Sequence, residues 1–100
     1  MSYFVRVMAV VGMLAVGGAL WADAPEREKL CQACHGARGG EPIMDMYPKL
    51  AGQNKAYLIG ALKAYRAGQR TGGMSAVMSP QTANLTDAEI DQLADYYSKQ

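Results

Sequence analysis

The sequence predicts a small all-α domain of about three helices joined by long loops. Three observations carry that expectation. Tyr57, Leu58, Ala61, Leu62 and Tyr65 share one face at helical spacing, and so do Ile90, Leu93, Ala94 and Tyr97. No segment alternates apolar and polar residues with period two, so strands are not expected. Glycines and prolines cluster between the periodic stretches, as irregular connections require.

Taken in order, Arg6 is the only charge before Asp23, and Val7 to Ala22 is an unbroken apolar run of sixteen residues ending in small side chains. That is the pattern of a secretory signal, and it falls short of the roughly 20 residues a bilayer-spanning helix needs. Residues 1–22 are therefore read as a signal peptide cleaved after Ala22, or as an uncleaved membrane anchor, and residues 23–100 as a single domain. Ala24 to Leu30 reads as the first turns of a short helix, with Pro25 near its start and acids in the first turn, where the helix dipole favours them. This helix runs into Cys31–His35 (CQACH). Gly36 to Tyr47 comes next as a loop, and a second helix covers about Asn54 to Ala67 with Gly68 as its stop. Met74 to Asn84, which contains Pro80, reads as another loop. The Thr86-Asp87-Ala88-Glu89 sequence is a capping box that opens the last helix.

Composition sharpens the picture. Residues 23–100 hold six Leu, three Ile, one Val and no Phe, so these strongly apolar types make up ten of 78 residues, about 13%. A chain below roughly 20% struggles to build a core, and a domain this small is already short of buried area. Apolar surface from outside the chain is expected to complete the interior. Charge is balanced across residues 23–100, with nine basic against nine acidic side chains. It is uneven along the chain: basic from Arg38 to Arg70 and acidic from Thr71 onward. A nucleic-acid surface would be more basic than this, and a solvated helix face is the plainer account of the imbalance.

The chemistry concentrates in CQACH. Cys31 and Cys34, two residues apart and followed at once by His35, form the attachment signature of a c-type haem, in which both sulfurs bond to the porphyrin and the imidazole binds iron. Zinc is excluded for want of ligands, since the chain has two cysteines and one histidine in all. A thioredoxin-like pair lacks its βαβ setting, and a disulfide across two residues would constrain too little chain to offset the weak core. A haem would also supply the missing apolar interior. The sixth position on the iron has no second histidine to fill it, which leaves Met44, Met46, Met74 and Met78 as candidates.

The ordered series CQACHG, PKLAGQ, YLIGALKAY, GQR, VMSPQTANLTDAEI and LADYY, spanning Leu30 to Gln100, resembles a small class I cytochrome c. It is most similar to a single haem domain of the periplasmic dihaem cytochromes of the c-four group. The resemblance implies a class I fold, with about three helices and long loops wrapped around one covalent haem. It also implies His35 and Met78 as axial ligands, Met78 standing eight residues before the Thr86 cap, with Met74 as runner-up. Where the family often has a further methionine, this chain has Gln81. The Pro48 carbonyl is implied as the acceptor for the other ring nitrogen of His35. Gln53, Tyr57 and Arg70 are candidates for hydrogen bonds to the haem propionates. A periplasmic carrier of single electrons is the implied function, exchanging with a terminal oxidase, other cytochromes or a flavoprotein dehydrogenase, and touching a membrane only if its N-terminus is retained. Because the chain has one CxxCH where the c-four group has two domains, it can also be a haem subunit of a dehydrogenase complex such as a flavocytochrome c sulfide dehydrogenase. A haem protein with an open sixth site that binds ligands or activates peroxide is the reading from a different class.

Overall fold

The computed structural model describes residues 23–100; the segment read as a signal peptide or anchor lies outside the described residues. Helix α1 spans Glu28–His35, α2 Lys55–Arg66, α3 Ser75–Thr82 and α4 Asp87–Ser98, with a single 3-10 turn at Ala37–Gly39. Among the described residues there is no strand, and no helix is long and apolar enough to cross a membrane.

Two helix starts arise from their caps. Asn54 Oδ1 accepts from the Tyr57 N–H at 3.0 Å and opens α2. At α4 the capping box is complete: Thr86 Oγ1 accepts from the Glu89 N–H at 3.1 Å, and Glu89 Oε1 accepts from the Thr86 N–H at 3.0 Å. Each pair satisfies N–H groups that the first turn of a helix leaves without partners.

The structure corrects the sequence reading in two places. α1 begins at Glu28 and not near Pro25, because Pro25 belongs to a preceding turn in which its carbonyl accepts from the Glu28 N–H at 3.0 Å. The stretch around Met78, expected as a loop because of Pro80, is the two-turn helix α3 with Pro80 inside it. Proline removes one N–H and crowds the carbonyl four residues back, a disruption that so short a helix accommodates. Thr82 Oγ1 also donates toward the Met78 and Ser79 carbonyls at 3.2 and 3.1 Å, which partners backbone acceptors near the helix end.

The core is small. Leu58 of α2, Leu85 of the α3–α4 link, and Ile90, Leu93, Ala94 and Tyr97 of α4 are its buried apolar members, with Cys31, Leu50, Ile59, Leu62 and Tyr96 packed around them. α2 packs against both α3 and α4. Ion pairs tie the helix ends together: Arg27 to Glu89 at 2.9 Å, Arg66 to Asp87 at 2.7 Å, Lys55 to Asp91 and Asp95 at 3.5 and 3.4 Å, and Lys99 to Asp95 at 2.9 Å. The acidic run of α4 is thus partnered by cations, three of them from other parts of the chain. Arg66 holds the Asp87 carboxyl below its ordinary value, the Thr86 backbone N–H and then Arg27 do so for Glu89, and Lys99 for Asp95. A depressed folded-state value stabilises the fold at neutral pH, and that contribution is lost as acid protonates the group. At exposed sites each such pair contributes little.

Tyr97 links α4 to everything before α2. Its hydroxyl donates to Glu28 Oε1 of α1 at 3.1 Å, and its carbonyl accepts from the Gly52 N–H at 2.9 Å. Its ring lies so close to Gly39 that a Cβ there would sit 2.9 Å from Tyr97 Cδ1 and 2.8 Å from Leu50 Cβ. Gly39 also has a φ of +67°, which a side chain disfavours. Gly39→Ala is expected to lower unfolding stability by about 2–4 kcal/mol in denaturant titrations, through strain and overpacking together. The neighbouring Gly40→Ala, with φ −95° and no atom closer than 3.6 Å, is expected to stay close to wild type.

Candidate functional site

α1 delivers three side chains of one motif in its last turns: Cys31, Cys34 and His35, with His35 as the final helical residue. Both cysteines are partly buried and not paired with each other in a disulfide, whereas His35 is only 3% exposed. The Cys31 sulfur donates weakly to the Arg27 carbonyl at 3.8 Å. Burial pushes the Cys31 thiol up, a contact from Tyr97 opposes this, and the charge of Glu28 adds to it.

Beyond α1 the chain is shaped to enclose the histidine. Gly36 leaves the helix with φ +83°, and a Cβ on it would run into the backbone of Glu41, so only glycine lets the chain double back this closely. The return is fixed by the Ile43 N–H donating to the Cys34 carbonyl at 3.0 Å. Further on, the Leu50 and Ala51 N–H groups both donate to the Gly39 carbonyl, at 2.9 and 3.1 Å. Between these two anchors, Tyr47 places its ring 6.3 Å from that of His35, tilted by 55°. Pro48 presents its carbonyl oxygen 2.7 Å from His35 Nδ1.

That last contact fixes the orientation of the imidazole. A carbonyl oxygen only accepts, so Nδ1 donates the proton of this bond, and Nε2 is the ring nitrogen left to bind a metal. Nε2 has no protein partner among the described residues. A buried histidine with one nitrogen tied to backbone and the other free to donate its electron pair is what a metal ligand requires.

The remaining residues named from sequence divide into groups. Met78 lies on α3 and is half-buried, whereas Met44, Met46 and Met74 are exposed by 46%, 56% and 39%. Tyr57 and Arg70 line one open hollow beside α2, with Ala56, Gly60 and Ala61. Arg70 also stacks its guanidinium over the Tyr65 ring, 4.4 Å from the centroid. Gln53 does not line that hollow; its Oε1 accepts from the Asn54 N–H at 2.8 Å.

The exposed apolar surface bears on whether a haem fits. Leu30, Ile43, Met44, Met46, Tyr57, Met74 and Val77 are large apolar side chains left at the surface, more numerous than the six buried residues of the core. They come from α1, the loop after it, α2 and the α3 region; all of these but α2 carry Cys31, Cys34, His35 or a candidate methionine. Apolar surface on this scale, in a domain with so small an interior, fits a large apolar group held by the two thiols and the imidazole. Among the described residues no cluster of three or more His, Cys, Asp or Glu side chains is arranged for a bare metal ion.

Sequence reasoning missed Tyr47 beside His35, because a tyrosine inside an irregular loop carries no periodic signal. It also missed the burial of Glu28, since an acid in the first turn of a helix ordinarily faces solvent.

Comparison with known proteins points the same way. The sequence profile of the cytochrome c family matches residues 17–99. Cytochrome c-554(548) of Halomonas halodenitrificans is 47% identical over 70 residues, which cover 70% of this chain and 83% of that protein. Cytochrome c-553 of Nitratidesulfovibrio vulgaris is 35% identical over 101 residues, covering 99% of both. A thiosulfate dehydrogenase electron acceptor of Thiomonas intermedia is 42% identical over 98 residues that cover 94% of this chain, which spans only 43% of that longer protein.

Intact-protein mass spectrometry is expected to find one haem bound through both cysteines. In Cys34→Ser one of the two thioether bonds is lost; the vinyl group left conjugated to the porphyrin should then move the reduced α band of the denatured haem to longer wavelength.

Proposed function

The chain belongs to the cytochrome c family, and from that premise we propose that it is an exported, periplasmic carrier of single electrons whose haem iron is held between His35 and Met78. Membership makes it an electron-transfer haem protein with the class I fold, a covalent c-type haem on Cys31 and Cys34, and redox proteins for partners. One observation carries the proposal: the 2.7 Å hydrogen bond from His35 Nδ1 to the Pro48 carbonyl, which directs the Nε2 lone pair away from the backbone. A ring held this way cannot rotate without breaking that bond, and the acceptor raises the basicity of the coordinating nitrogen.

His35 is the chain's only histidine, so a second imidazole is not available and the methionine thioethers are the candidates for the sixth position. Met78 is favoured because it is the least exposed of the four methionines in the described residues and sits on α3, which packs against α2. The bound haem supplies a one-electron Fe(III)/Fe(II) couple. With both axial positions filled by side chains, small molecules have no open site, and the protein's task reduces to insulating and tuning that couple. Tyr57 and Arg70, which share one hollow, are assigned to the propionates, and Gln53, held at the α2 N-terminus, is the weaker candidate. The N-terminal apolar run supports export, and the periplasm is where such haems are attached.

A second reading is favoured by the relatives named as electron acceptors of thiosulfate dehydrogenase. On that reading the chain serves a dehydrogenase as its haem-bearing subunit or dedicated acceptor, of which the flavocytochrome c sulfide dehydrogenases are one type. Co-purification with a dehydrogenase would select it.

Met78→Ala is expected to lower the reduction potential and open the iron, so that the reduced protein binds carbon monoxide at neutral pH, where wild type does not. An unchanged spectrum in this variant would transfer the ligand role to Met74.

A further inference from the structure

Glu28 is a carboxylate only 3% exposed, in the interface between α1 and α4. Its single hydrogen bond among the described residues comes from the Tyr97 hydroxyl, 3.1 Å away and itself 2% exposed. The neighbouring cation, Arg27, is committed to Glu89 at 2.9 Å. Tyr96 and Cys31 are the other titratable groups that feel the charge of Glu28. Burial, with Cys31 and Glu28 adding, keeps the Tyr97 phenol far above its ordinary range, so Tyr97 remains a donor to the carboxylate.

Burying a carboxylate with one neutral partner among the described residues is costly. Its position suggests a use. Glu28 stands three residues before Cys31, one helical turn away on the same face, and Cys31 packs against the core that Tyr97 completes. On the family reading Cys31 is bonded to the haem, so Glu28 stands one helical turn from an attachment point of the prosthetic group, in a water-poor setting where screening is weak.

We propose that Glu28, held by Tyr97, is a positioning residue for charge: a buried carboxylate that stabilises the oxidised haem and sets its reduction potential below the value His and Met ligation alone would give. The inference rests on the electron-carrier reading. Its electrostatics are simple. The oxidised haem carries one more positive charge than the reduced one, so a fixed negative charge nearby favours Fe(III) and makes Fe(III) + e⁻ → Fe(II) less favourable. Tyr97 holds the carboxylate in place by its hydrogen bond and closes it off from water.

Spectroelectrochemical titration of the haem-loaded protein tests this. Glu28→Gln keeps an acceptor for Tyr97 and removes the charge; its potential is expected to rise by the equivalent of about tenfold in the reduction equilibrium, about 59 mV for a one-electron couple. Glu28→Asp retains the charge and perturbs the packing, and should stay near the wild-type potential. Glu26→Gln removes an exposed carboxylate two residues away and should also leave it in place. The Glu28→Gln shift should persist from low to high salt, since a buried charge is poorly screened. A Glu28→Gln potential equal to wild type, a shift reproduced by Glu28→Asp, or one abolished by salt would overturn the role. A wild-type protein with no reversible one-electron wave would instead defeat the electron-carrier reading, so the two failures are distinguishable.

Discussion

A domain with ten Leu, Ile and Val residues among its last 78 cannot exclude water from an interior of ordinary size, and the rest of the structure is arranged around that shortage. The six buried apolar residues lie where α2 and α4 meet, with Leu85 on the link between α3 and α4. Large apolar side chains stay at the surface on the helix that carries Cys31, Cys34 and His35, on the loop after it, and around α2 and α3. Two thioether bonds turn a cofactor into part of the covalent chain, so a haem attached there would serve at once as redox centre and as apolar surface for the core to pack on. Structure and function then share a cause: what keeps water from the porphyrin also keeps the fold together.

The backbone devices of the molecule serve the imidazole. Gly36 allows the chain to turn back against Glu41, Gly39 admits the Tyr97 ring and the Leu50 side chain, and its carbonyl anchors Leu50 and Ala51. Between these fixed points Pro48 reaches His35 Nδ1. Tyr97 then locks the arrangement from the C-terminal side, through Glu28 on α1 and Gly52 on the returning loop. Residues far apart in sequence thus converge on the orientation of one ring. The ion pairs of α4 contribute register and solubility more than stability, since they lie at exposed sites.

Much of this was legible in the residues. The stripe Ile90, Leu93, Ala94 and Tyr97 and the Thr86 capping box stand where the sequence places them, because both are local patterns that the helix period enforces. The limits of α2 agree to within one residue, with Asn54 as its cap. Other features were hidden for physical reasons. A proline is normally a reason to refuse a helix, and α3 forms around Pro80 because two turns against α2 lose only one backbone bond to it. Glu28 reads as a first-turn acid facing solvent; its burial depends on Tyr97, 69 residues away, which no local pattern reveals. Tyr57 shares the periodic face of α2 and is nevertheless 56% exposed, as a residue lining a hollow beside that helix must be.

The central claim is that the haem completes the core, and the most direct measurement is the folded state of a chain that never receives one. In Cys31→Ala/Cys34→Ala, expressed without haem attachment, far-ultraviolet circular dichroism and amide exchange should report a largely unfolded chain with no cooperative thermal transition. A cooperative transition with native helix content in that variant would contradict the account, because it would mean that the six buried residues suffice on their own.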